Sequence, residues 1–352
     1  DWLKKAIARF PQAAAERRLI IALGNEPMLW NRTHRDVHPD PLSYDEYWMR
    51  FRTYALRSKQ VAPDIPIAAP DVWGWPAYFQ SAKDRVNQNS DDRMKHDGLP
   101  FLPWFLRKAR TYEENHGVRL LDILTVHFYP QADEVHSEKA DTETGKLRWE
   151  STRSLYSPDY TDPSWINETV QLIPRLKNWV HRYYPETGIG LTEYNWGGED
   201  DISGALALAN ILGIFGRHNL DLACYWTAPP LDSFAASVYA LYRNVDGKGT
   251  GFGSMIPTVK TSRNSPDLEL YTAINEDDGT LAAIIINAAD EARTVRMTCK
   301  GVDIGRVLSY HLSSHSPAII RNKAKLSVHR RNTVVLSTEP QSVYHLRIER
   351  RQ

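Results

Sequence analysis

The chain has little that would staple, anchor or charge it. Only two of its 352 residues are cysteine, Cys224 and Cys299. The reading below puts them in different domains, so no disulfide between them is expected and cysteine usage does not report a redox compartment. No apolar run reaches the roughly 18 residues that a membrane span needs. The longest candidate, Ala205 to Phe215, is broken by Asn210 and Gly213. There is no net charge, because 43 lysines and arginines balance 43 aspartates and glutamates. Nothing therefore favours nucleic acid, and a neutral polymer is the better electrostatic match. No signal peptide is expected within this sequence, since the charged amphipathic opening Asp1-Trp2-Leu3-Lys4-Lys5-Ala6 reads as the interior of a domain. Internal repeats and low-complexity segments are also missing.

What is present is a change of pattern along the chain. Up to about residue 255, short apolar runs alternate with helical stretches. The runs are Leu19 to Leu23, Ile65 to Ala69, Leu121 to His127, Ile189 to Thr192 and Leu220 to Trp226. The helices expected between them cover Ser43 to Lys59, Leu99 to His116, Asp162 to Tyr184 and Ser203 to His218. Ser43 with Glu46 forms a capping-box pair, and Gly117 closes the second helix. Near-continuous apolar strands, each followed by a helix, predict an α/β fold with a parallel sheet. The last hundred residues hold only short strand candidates, separated by turns such as Glu276-Asp277-Asp278-Gly279. This predicts an antiparallel β-sandwich. The division is then 1–255 for a (β/α) barrel and 256–352 for the sandwich. Five βα units are visible where a closed barrel needs about eight. The visible strands are accordingly expected to be the fourth to eighth, with three units upstream of Asp1.

Two of the apolar runs end in a glutamate. The first closes in Gly24-Asn25-Glu26-Pro27 and the fourth in Thr192-Glu193-Tyr194-Asn195. Barrel enzymes build their sites at the C-terminal ends of strands. Strands four and seven face each other across the barrel mouth, which brings Glu26 and Glu193 together. Either glutamate alone is as well read as an ordinary loop carboxylate. The two together suit glycoside hydrolysis, in which one carboxyl protonates the leaving oxygen and the other attacks the anomeric carbon.

The strings Gly24-Asn25-Glu26-Pro27-Met28-Leu29-Trp30-Asn31 and Thr192-Glu193-Tyr194-Asn195-Trp196-Gly197-Gly198 resemble glycoside hydrolase family 44, of clan A. That resemblance implies a TIM-type barrel plus a β-sandwich and a retaining endo-β-1,4-glucanase. It implies activity on cellulose-type glucan and, in several members, xyloglucan. Glu26 would be the acid/base and Glu193 the nucleophile. It also implies secretion from the cell. No cofactor is required, although family members can carry a structural calcium ion, and no metal ligands are assigned here. The acidic stretches Asp91-Asp92 and Glu199-Asp200-Asp201 read as solvated loops.

Supporting residues follow from strand position. Asn25 can hydrogen-bond the sugar 2-hydroxyl. His127 and Tyr129, at the end of strand six, are further substrate-binding candidates, and the tyrosine can also donate to the nucleophile. Trp226 ends strand eight and can floor the subsite beside the scissile bond. Clan members often have a non-proline cis peptide at that point. Trp30, Trp73, Trp75 and Trp196 follow strand ends, so some of them should line an aromatic groove, although each alone reads equally well as packing; Trp30, Trp73, Trp196 and Tyr194 are the substrate-binding candidates. Two other readings stay open: a different clan A glycanase (a mannanase or xylanase), and a non-catalytic carbohydrate-binding fragment. In each, the partner is a β-1,4-linked polysaccharide, not nucleic acid or membrane.

Overall fold

A computed structural model describes residues 2–260, 265–276, 278–321 and 325–351. Asp1 of the amphipathic opening and Asp277 of the expected turn lie outside these residues. By compactness the chain forms two units. One comprises Asp1–Tyr129, Val170–Asn195 and Leu220–Trp226, the other Pro130–Thr169, Trp196–Asn219 and Thr227–Gln352.

The first unit is built on a parallel sheet of five strands in sequential order, β1 (Ile21–Ala22), β2 (Ile67–Val72), β3 (Ile123–Phe128), β4 (Gly188–Tyr194) and β5 (Leu222–Tyr225). All five apolar runs become strands. Residues 67–72 of β2 and 124–128 of β3 are buried throughout, as a parallel sheet covered on both faces requires.

Helix Tyr44–Val61 starts at Ser43, whose hydroxyl accepts the N–H of Glu46. The Glu46 carboxylate turns instead to Arg50 and His38. Helix Phe101–His116 ends at Gly117, with φ 67°, whose N–H donates to the Glu113 carbonyl. These two helices bury Tyr44, Tyr47, Phe51, Phe101, Trp104 and Phe105 as one aromatic cluster, so much of the aromatic content is core.

The second unit holds two antiparallel sheets. Its strands are β6 (Leu268–Ile274), β7 (Leu281–Asn287), β8 (Arg293–Thr298), β9 (Ile304–Ser313), β10 (Ser316–Arg321), β11 (Lys325–His329), β12 (Thr333–Thr338) and β13 (Ser342–Arg350). They order as β10-β9-β13-β7-β6 and β11-β12-β8. Ile285, Leu346 and Ile348 from the first sheet meet Met297, Val334 and Leu336 from the second, which is the core of a sandwich. Helices Thr142–Ser151, Ile202–Arg217 and Phe234–Arg243 belong to this unit. Gly213 permits a close approach of helix Ile202–Arg217 to β6, because a Cβ there would sit 2.3 Å from the Tyr271 ring.

The expected helix from Asp162 begins only at Leu172. Pro163 follows Asp162, whose carboxylate accepts from Ser164 N–H and Ser154 Oγ, so local side-chain bonds hold a loop instead. Among the described residues no helix is long and apolar enough to cross a membrane.

Candidate active site

Glu26 follows β1 in a left-handed conformation, φ 47° and ψ 53°. Its N–H donates to the Asp71 carbonyl at 2.9 Å and its own carbonyl accepts from Leu29. A non-glycine residue held in this region is strained, and such strain concentrates at functional sites. Glu193 lies within β4, paired in register with His127 of β3.

His127 joins the two. Its Nδ1 is 3.0 Å from Glu26 Oε1 and 3.4 Å from Glu193 Oε2, with the imidazole 1% exposed. One oxygen of each glutamate and this nitrogen all lie within 4.8 Å of one another. The Tyr78 hydroxyl donates to the His127 carbonyl at 2.5 Å and fixes the strand beneath. Tyr129, two residues on and so on the same face, donates its hydroxyl to Glu193 Oε2 at 2.9 Å. Burial first, then the hydrogen bond and charge of Glu193 and the charge of Glu26, push the Tyr129 phenol far up, so it remains a donor.

At the end of β5, the Trp226 N–H donates to the Tyr194 carbonyl. Its own carbonyl accepts from Asn195 Nδ2, and the Tyr225 hydroxyl donates to Asn195 Oδ1. The indole of Trp226 is 54% exposed. Among the described residues the cis peptide is Ala69–Pro70, not one at Trp226.

Asn25 is exposed beside Glu26, and its carbonyl accepts the indole N–H of half-buried Trp30 at 3.0 Å. Trp73, at the end of β2, is half-buried with the Arg85 guanidinium 4.3 Å from its ring centre.

Four candidate sugar contacts are buried instead. Tyr194 is 1% exposed and packs edge-on against Tyr225, because neighbouring residues of a strand face opposite sides and Glu193 takes the site side. Trp196 is buried in the second unit, its indole N–H donating to Ser151 Oγ and its carbonyl accepting from Arg148 Nε. Trp75 is buried against Tyr78 and Phe79. His127 is too deeply buried to touch sugar and instead bridges the carboxylates.

Among the described residues the Glu26, His127 and Glu193 trio is the one cluster with metal-ligating spacing. Two carboxylate oxygens and one imidazole nitrogen do not fit calcium, which takes about six to eight oxygen ligands. The acidic stretches serve local structure: Asp92 accepts from Tyr44 N–H, and Asp201 caps helix Ile202–Arg217. Sequence reading missed Asp71 and Thr192. The available signal was Asp71 itself, a charged residue in the otherwise apolar run Ile67-Ala68-Ala69-Pro70-Asp71-Val72.

Residues 1–132 match the family model of glycoside hydrolase family 44. Endoglucanase A of Paenibacillus lautus is 30% identical over 338 residues, covering 92% of this chain and 47% of the relative. CelM2, a bifunctional glucanase-xylanase from a metagenome library, superposes with a TM-score of 0.87 at 35% identity, over 94% of this chain and 64% of that one. These matches support glycoside hydrolase family 44 as the family of the chain. A Paenibacillus polymyxa xyloglucanase of family 44, solved with xyloglucan, gives a TM-score of 0.85 at 28% identity over 94% of this chain and 66% of its own. The chain spans about half the length of the curated endoglucanase, 47% of it.

Proposed function

We propose that this chain carries the catalytic pair of a retaining endo-β-1,4-glucanase, with Glu26 as acid/base and Glu193 as nucleophile. The observation that supports this most is the closeness of the two carboxyl groups, whose nearest ligand oxygens lie within 4.8 Å. Retaining pairs stand about 5–5.5 Å apart, whereas inverting pairs leave about 6.5–9.5 Å for a water. Glu26 would protonate the departing glycosidic oxygen as Glu193 attacks the anomeric carbon. Glu26 would then deprotonate the water that releases the glycosyl-enzyme. Tyr129 would keep the nucleophile oriented, Asn25 would meet the sugar 2-hydroxyl, and Trp226 would stack beneath the ring. Trp30 and Trp73 are the further aromatic candidates.

In this reading β1 to β5 correspond to the fourth to eighth strands of a (β/α)8 barrel. The substrate is a β-1,4-glucan, with xyloglucan suggested by the Paenibacillus polymyxa relative and xylan by CelM2. A polymer of this kind does not enter cells, so the enzyme would act outside them. No cofactor takes part in the proposed chemistry.

The test is Glu193→Gln in the full-length enzyme, together with a 2-fluoro glycoside that traps the glycosyl intermediate. The expected result is loss of turnover by at least about a thousandfold and, in the wild type, a label on Glu193. Wild-type rates in the variant, or a label elsewhere, would overturn the assignment. A panel of glucan, xyloglucan, xylan and mannan separates the substrates.

A further inference from the structure

Asp71 and Thr192 are both residues without a partner on β3. Pro70 faces Thr125 and Val72 faces Val126, which leaves Asp71 as the extra residue of β2. Leu191 faces Val126 and Glu193 faces His127, which leaves Thr192 as the extra residue of β4. A bulge re-aims the side chains that follow it, and bulges gather beside active sites. Here the two extra residues bond each other. Thr192 Oγ1 lies 2.5 Å from Asp71 Oδ1, although β3 runs between their strands.

Each end of this bond leads to a catalytic glutamate. The Asp71 carbonyl accepts the N–H of Glu26, and Thr192 immediately precedes Glu193. Asp71 is also held in conditions that an aspartate does not choose. It is 2% exposed, and its backbone stands in the left-handed region at φ 51°. Its second oxygen, Oδ2, is buried with no partner at hydrogen-bond distance. Burial pushes the carboxyl up, against the opposing pull of Thr192, Thr125 and the His127 charge. A buried polar group so poorly compensated calls for a functional reason.

Resting on the roles given above to Glu26 and Glu193, we propose that Asp71 and Thr192 are paired positioning residues whose mutual hydrogen bond locks two β-bulges and so sets the separation of the acid/base from the nucleophile. Neither touches substrate. The bond works through geometry: it fixes the peptide that holds Glu26 and the turn of β4 that aims Glu193.

The experiment uses the full-length enzyme on soluble β-glucan, well below its melting temperature. Thr192→Val removes the hydroxyl with little change of shape. Asp71→Gly removes the carboxyl and accepts the left-handed backbone. Each should lower kcat about 10- to 100-fold, the range expected for a displacement of about 1 Å. KM should stay within about twofold, because ground-state binding is untouched. The double variant should fall no further than the worse single one, since both remove the same bond. Thr192→Ser, which restores the hydroxyl, should recover most of kcat. A merely structural bond would lower the melting temperature and leave kcat intact.

Wild-type kcat in Thr192→Val would overturn the proposal, as would losses that multiply in the double variant. If Asp71→Gly does not fold, the valine and serine variants of Thr192 decide alone. Glu193→Gln, measured alongside, separates the two levels of inference. If it is inactive while Thr192→Val is not impaired, only the pairing fails. If it retains turnover, the reading of the site fails and the pairing with it.

Discussion

Tyr129 illustrates how one residue's neighbours decide its task. Its hydroxyl donates to Glu193 Oε2, and the same carboxylates that orient it also keep the phenol protonated. A hydrogen bond to a charged group contributes about 1.5–3 kcal/mol. Tyr129→Phe should therefore lower kcat about 10- to 150-fold. It should leave the alkaline limb of the pH profile where it was, because the phenol does not titrate there. A kcat loss below about threefold would remove Tyr129 from the catalytic machinery. Glu26, Glu193 and Tyr129 were legible because each is a polar residue closing an apolar strand. Tyr194 and Trp196 misled for a related reason: position after a strand does not say which face a side chain takes. Only pairing with His127 puts Glu193 on the site side and Tyr194 opposite. Asp71 and Thr192 were hidden more deeply, since a bulge exists only relative to the strand beside it.

Among the elements, strands read more easily than helices. Each strand of the parallel sheet was a continuous apolar run with little choice of conformation. The helix expected from Asp162 was cut short by side-chain bonds, and Thr142–Ser151 is too polar to announce itself. Contacts between elements were not legible at all, and His345 is the clearest case. It sits on β13, fully buried, with Nδ1 2.6 Å from the Leu241 carbonyl of helix Phe234–Arg243. Its Nε2 has no partner. Burial is the main cause that pushes the imidazole from 6.5 down to about 4, with Arg347 adding to it and the Leu241 bond and Asp246 opposing. The folded protein therefore keeps His345 neutral, while the unfolded chain takes a proton below 6.5. Stability from this residue is complete above that value and is lost as pH falls toward 4. At about 1.4 kcal/mol per pH unit the loss totals about 3 kcal/mol. His345→Gln, which can still donate to Leu241, should flatten the decline in denaturation midpoint between pH 7 and pH 4.5. Parallel declines in variant and wild type would show that other groups govern the acid limb.

At the scale of the whole molecule, the two outer strands of the parallel sheet raise the decisive question. Among the described residues β1 pairs only with β2, and β5 only with β4. Ala223 and Cys224 of β5 are exposed. Parallel sheets occur with both faces covered, and closed barrels remove their edges altogether. If β1 to β5 are the fourth to eighth strands of a barrel, three further βα units must pair with both. A polypeptide of these 352 residues alone should then associate, bind an apolar dye and melt without a cooperative transition. The same residues joined to three such units should melt cooperatively and leave the dye dark. A dispersed, dye-silent and cooperative 352-residue polypeptide would sink the eight-strand assignment. The consequence for chemistry is specific. Glu26 follows β1, a two-residue edge strand held on one side only, through Ile21 and Ala22 and the bond to the Asp71 carbonyl. Glu193 lies on β4, paired on both sides. An open edge should therefore loosen Glu26 before Glu193. Any residual activity of the isolated polypeptide should be greatest on aryl glycosides, whose leaving groups need little protonation.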